Sequence, residues 1–177
     1  MATNWVFGLS YQTLNAVFAE AVLKAGPKGL GFMGGATGMG ALAATLIMAS
    51  RQRPTWTLLF CVALALSGGL YCYSFSTLFP LSLVILVCIG SCSVGFMITC
   101  NTTLQLSAPD EMRGRVMGLY SMAFVGFGPL GSFLSGALAH YQGAPRAVCI
   151  GAVICGTVAL ALGVWLRLRR AQIGPAA

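Results

Sequence analysis

Long apolar runs, uncharged but for Glu20, alternate with short polar connectors along this chain. Six runs stand out, at residues 2–23, 29–50, 55–73, 78–105, 116–139 and 147–166. A water-facing helix keeps a polar face at the 3.6-residue period, and these runs have none. Each is close to the roughly 20 apolar residues that a helix needs to cross a bilayer core. The pattern therefore predicts an all-α membrane protein, a single bundle of six transmembrane helices followed by a basic tail at 167–177. The connectors "KAGPK", "RQRP", "YSFST", "SAPDEMRGR" and "HYQGAPR" are short, so consecutive helices should be antiparallel. Pro27, Pro54, Pro80, Pro109 and Pro145 fall in connectors or first turns, where a missing N–H costs least. The opening "MATNWVFGLSYQ" lacks the basic start of a signal peptide and reads as the beginning of the first span.

Composition supports the bilayer as solvent. The chain is 58% hydrophobic and 7% charged, with mean hydropathy +0.86, against about 25% charged in a soluble domain. The net charge of +7 is not a nucleic-acid footprint, because the basic residues sit in connectors and no polar surface accompanies them. They set orientation instead. Arg51, Arg53, Arg113, Arg115, Arg167, Arg169 and Arg170 fall on one side, and Lys24, Lys28 and Arg146 on the other. The positive-inside rule then places both termini in the cytoplasm, for a multi-pass protein of a bacterial-type inner membrane. Trp5, Trp56 and Trp165 would form a belt at the cytoplasmic interface, with Tyr71, Tyr73 and Tyr141 at the outer one.

Glycine and polar residues are distributed unevenly. The second run holds Gly29, Gly31, Gly34, Gly35, Gly38 and Gly40, and the fifth holds Gly118, Gly126, Gly128, Gly131 and Gly136 with Pro129 among them. Small residues four apart let membrane helices approach closely, so these residues predict packing interfaces, static or sliding. The first and fourth runs collect the polar side chains, with Tyr11, Gln12 and Asn15 on one and Ser91, Asn101 and Gln105 on the other. Two triplets of matching character point to a three-plus-three inverted repeat.

Polar groups are costly in hydrocarbon and face protein or a wet cavity. Tyr11, Gln12 and Asn15 should share a face near mid-membrane, either lining a cavity or bonding between helices. Glu20, the one carboxylate inside a run, reads as an interfacial i,i+4 partner of Lys24 or as an ion-coupling site. The seven cysteines include no Cys-x-x-Cys, and His140 is the single histidine. Neither a metal site nor a cofactor is expected, and Cys88 and Cys92 read as packing residues. An intramembrane enzyme would need a nucleophile with a base or clustered ligands, which argues against catalysis. A channel remains the alternative to a carrier.

The charge-dense stretch is "NTTLQLSAPDEMRGRVMG", residues 101–118. It reads as a helix start: Ser107 caps, Pro109 occupies the first turn, and Asp110 and Glu111 face the positive helix end. Arg113 and Arg115 hold the loop inside by pairing with these acids or with lipid phosphates.

From Asn101 onward, "NTTLQLSAPDEMRGRVMGLYSMAFVGFGPLGSFLSGALAHYQGAPRA" resembles the tenth-to-twelfth-helix region of a major facilitator superfamily transporter, nearest the transmembrane secretion effector branch that includes the enterobactin exporter. Asn101, Thr102, Thr103, Gln105, Arg113, Gly114, Arg115, Val116, Met117, Gly128, Pro129 and Gly131 carry the likeness. "GPKGLGFMGGATGMGALAATLIMASRQRP" resembles the eighth helix and its following loop. The resemblance implies the carboxy-terminal half of a twelve-helix secondary transporter that moves small organic compounds, such as drugs or siderophores, outward on the proton gradient. Its partners would be the lipid bilayer, a small-molecule substrate, and an amino-terminal half or second chain. The first and fourth runs would line the cavity, the second and fifth would contact the other half, and residues 110–115 would adjoin the gate. The loop "ASRQRP" carries no acid, so the family's acidic-basic gating motif is not mirrored there. A lone chain of this kind should self-associate or be degraded.

Overall fold

The computed structural model describes residues 11–21, 26–50 and 55–173. Among them are six α-helices: α1 (Tyr11–Ala21), α2 (Gly26–Ala49), α3 (Trp56–Ser74), α4 (Phe79–Ser107), α5 (Arg113–Gln142) and α6 (Ala144–Ile173). A 3-10 turn, Asp110–Met112, joins α4 to α5. Five of the helices are long and apolar enough to cross a membrane, α2 to α6. The remaining span expected from the sequence corresponds to α1; its residues 2–10 and 22–23 lie outside the described residues.

Turn chemistry sets the helix boundaries. Gly26 (φ 63°) and Gly143 (φ 85°) take the left-handed backbone that L side chains resist. Each is followed within two residues by a proline, Pro27 or Pro145, whose fixed φ suits a first helical turn. α2 and α6 therefore begin three residues earlier than hydropathy alone indicates, and Lys28 and Arg146 fall inside their first turns.

The α4–α5 junction corrects one expectation. Ser107 is the last residue of α4 and caps nothing that follows. Pro109 drives Ala108 out of the helical region (ψ 132°), and the Ala108 N–H closes α4 on the Leu104 carbonyl at 3.1 Å. Only then does the 3-10 turn form, with Met112 N–H donating to Pro109 O at 3.0 Å.

Contacts fix the helix directions. Ser91 meets Gly40 and Thr99 meets Met48, so α2 and α4 run parallel, and this pair is the most extensive in the bundle. Gly69 faces Ile89 while Gly95 faces Val62, which makes α3 and α4 antiparallel. Gly156 faces Ser67 and Gly163 faces Phe60, so α3 and α6 are antiparallel too.

Two buried clusters result. The larger, toward the α3–α4 turn, joins Phe18, Met33, Leu70, Tyr73, Ile89 and Val148 among others. The smaller, toward the α4–α5 turn, joins Leu59, Ala63, Phe96, Cys100 and Ala159. α5 stands apart, burying only Gly131 and Ser135 along its 30 residues. Tyr71 and Tyr141 are exposed, as an interfacial belt requires, but Tyr73 is fully buried. It lies one residue before the end of α3, on the core side of that helix, and does not join the belt.

Candidate functional site

The polar candidates on α1 separate into two faces. Tyr11 and Asn15, one turn apart, are buried, whereas Gln12 is exposed. Three residues apart, Gln12 and Asn15 differ by about 60° round the helix, and here that leaves Gln12 at the exposed edge while Asn15 faces into the bundle. The Tyr73 hydroxyl donates to Asn15 Oδ1 at 3.2 Å, and Phe18 stacks on the Tyr73 ring at 4.5 Å between centroids. Tyr73 belongs to the last turn of α3, so this bond ties Asn15 to the α3–α4 end of the bundle. The Tyr11 hydroxyl is buried without a hydrogen bond of good geometry, with Ser93 and Gln12 as polar side chains beside it. Thr13, exposed, donates to Ser132 Oγ on α5 at 3.2 Å.

Glu20 is exposed at the rim of a cleft of about 200 Å³ between α1 and α2, otherwise lined by Ala16, Ala19, Gly26, Pro27 and Leu30. The pairing expected with Lys24 lies outside the described residues.

Ser91 is half-buried and bonds across a helix crossing. Its hydroxyl donates to Gly40 O at 2.9 Å and to Val87 O of its own helix at 3.0 Å. Glycines on both helices make this approach feasible. A Cβ on Gly40 would overlap the Val87 carbonyl oxygen and stand 2.9 Å from the Ser91 nitrogen. A Cβ on Gly90 would overlap the Thr37 carbonyl oxygen. The glycines singled out by sequence lie elsewhere. Beside Gly31, Gly34, Gly35 and Gly38 on α2, and beside Gly128 and Gly136 on α5, there is open space; Gly131 is buried, and Pro129 is exposed. Sequence reasoning missed Gly90, and it counted Gly40 among the glycines of the second run without singling out the small-residue row Ala36, Gly40 and Ala44; all four are buried. The four-residue spacing of that row was its signal, masked by the denser glycines beside it.

At the α4–α5 elbow, Arg113 performs two tasks. Its Nε donates to Gln105 O at 3.1 Å, satisfying one of the carbonyls a helix leaves unpaired at its end. Its Nη2 meets Asp110 Oδ1 at 2.7 Å, the one ion pair among the described residues. Gln105 Nε2 donates to Asn101 Oδ1 one turn back, and Thr102 and Thr103 bond the carbonyls of Ile98 and Thr99. Asn101 is half-buried, while Gln105, Glu111 and Arg115 are exposed. The elbow thus brings together Asn101, Gln105, Asp110 and Arg113. It does not join them to Tyr11, Gln12 or Asn15, which stand on another helix.

The seven cysteines are free thiols, and the described residues contain no group of three His, Cys, Asp or Glu placed to hold a metal. The sequence profile of the Major Facilitator Superfamily matches residues 1–176. The chain belongs to the Major Facilitator Superfamily. No curated protein and no solved structure matches it. The family is one of transporters, and the apolar helices agree with a multi-pass membrane protein.

Proposed function

We propose that this chain is one six-helix half of a proton-coupled, alternating-access exporter of small organic compounds, with both termini in the cytoplasm of a cell inner membrane. The family match carries the transport class. The half reading rests on where the glycines face: Gly31, Gly34, Gly35 and Gly38 of α2 turn away from the bundle with open space beside them. Gly128 and Gly136 of α5 have open space beside them too. In lipid such faces favour close packing against another helix, here the other half or a second chain. The contact pattern favours two inverted triplets as well, since α4 bonds to α2 through Ser91 and α1 bonds to α5 through Thr13.

In this reading Gln12, Asn101 and Gln105 present polar atoms toward the cavity that the two halves enclose. Asn15 and Ser91 fix the helices behind them, and Tyr11 packs in the buried core beside them. Asp110, Glu111, Arg113 and Arg115 adjoin the cytoplasmic gate, and Glu20 is the candidate proton-coupling carboxylate. The test is reconstitution in proteoliposomes with an imposed pH gradient, alone and with a six-helix partner half, following a fluorescent lipophilic dye. Gradient-driven dye movement that a protonophore abolishes is expected once the partner is present. Unitary current steps with no substrate gradient would instead identify a channel.

A further inference from the structure

The two contacts that tie cavity-type helices to glycine-rich helices are built differently. At the α2–α4 crossing the backbones themselves touch. Gly40 lies against Val87 and Ser91, Gly90 lies against Thr37, and neither site has room for a methyl group. Backbone atoms cannot rotate out of the way as side chains do, so sliding one helix along the other drives a carbonyl into a Cα. Ser91 adds a hydrogen bond directly across the crossing, and two turns further on Thr99 reaches Met48 Sδ at 3.9 Å. Among the described residues, the one hydrogen bond between α1 and α5 is the exposed Thr13–Ser132 hydroxyl pair, and α5 buries only Gly131 and Ser135 and carries an internal proline, Pro129. That proline leaves one carbonyl of its helix without an N–H partner.

We propose that α2 and α4 move as one body, interlocked at Gly40 and Gly90, and that rearrangement within this six-helix unit is taken up at the contacts of α5. The lock has a consequence for communication. The glycine face of α2 lies on the same rigid helix as Gly40, and the Asn101–Gln105 end of α4 on the same rigid helix as Gly90. A displacement imposed on the α2 face therefore reaches the α4–α5 elbow undiminished, whereas one imposed on α5 is absorbed at Pro129. The inference does not depend on the identity of the transported compound.

The test uses two spin-label pairs in the full chain in lipid nanodiscs, with the seven native cysteines replaced by alanine or serine. One pair reports the interlocked contact, at Leu46 and Met97, both exposed and offset by the same register as Met48 and Thr99. The other reports the yielding contact, at Val17 and Phe133, also exposed. The Leu46–Met97 distance distribution is expected to be the narrower and to hold its position between detergent and nanodisc. A Leu46–Met97 distribution as broad as that of Val17–Phe133, or broader, overturns the proposal. Gly40→Ala should lengthen the Leu46–Met97 distance and Gly34→Ala should not; an unchanged distance in a folded Gly40→Ala chain would equally refute the lock. If Gly40→Ala does not fold, the comparison of the two widths in the parent chain still decides.

Discussion

α2 and α5 invite comparison. Both are glycine-rich and nearly free of charge, and by composition they are interchangeable. In the structure they are opposites. α2 presses its backbone into α4 through Gly40 and keeps Met33, Ala36 and Ala44 buried on the same side. α5 buries only Gly131 and Ser135, and Gly114, Gly118, Gly126, Gly128 and Gly136 have open space beside them. Glycine content therefore measures how closely a membrane helix could be approached, not whether anything approaches it. The deciding quantity is which stripe of small residues meets a neighbour's backbone.

The largest effect that could break this contrast is at Gly90. Gly90→Ala places a methyl group on the Thr37 carbonyl, and backbone on both sides leaves no side chain to yield. Overpacking of this kind costs about 1–3 kcal/mol, so the denaturation midpoint in detergent should fall clearly. A Gly90→Ala chain as stable as its parent would show that α2 and α4 separate readily. Next is Arg113, which anchors the start of α5 to the end of α4. Arg113→Gln removes an exposed ion pair worth about 0–1 kcal/mol and a donor to the Gln105 carbonyl, for a summed loss of about 1 kcal/mol. Hydrogen exchange should speed up in residues 105–118 and remain unchanged in α2. Smaller again is Ser91→Ala, which deletes the hydrogen bond to Gly40 O but leaves the backbone contact. Hydrogen bonds between membrane helices average about 0.6 kcal/mol, so the variant should stay folded with a modest drop in midpoint. A loss as large as that of Gly90→Ala would mean that the serine, not the glycine pair, holds the crossing.

Much of the architecture was readable in advance, since runs near twenty apolar residues have few alternatives in a bilayer. Helix boundaries were less so, because hydropathy does not register Gly26–Pro27 or Gly143–Pro145 as the first turn of a helix. Ser107 misled for a related reason: the residues that mark a cap also end the preceding helix, and Pro109 decides between them by its steric effect on Ala108. Asn15 was legible as a costly polar group and Tyr73 as an interfacial aromatic, but not as each other's partners, since they are 58 positions apart and hydropathy carries no information on which residues face each other. The Asn101–Gln105 bond spans one helical turn, a spacing that puts two side chains of one helix within reach of each other.

The smallest expected change sharpens the comparison most. Gly34→Ala and Gly136→Ala add a methyl group where nothing lies within 4 Å, and alanine is the better helix former. Neither variant should lose stability; a gain of up to about 0.5 kcal/mol is expected, less than the full propensity difference because the surrounding bundle already fixes the backbone. If the open faces dock against another half, the same two substitutions should lower transport in the assembled carrier while leaving the isolated chain's midpoint unchanged. Stability and transport would then respond to different glycines of one helix: Gly40, through the fold it holds, and Gly34, through the partner it admits. Equal transport by Gly34→Ala, Gly136→Ala and the parent would leave those faces to lipid and remove the reason for assigning them to an interface.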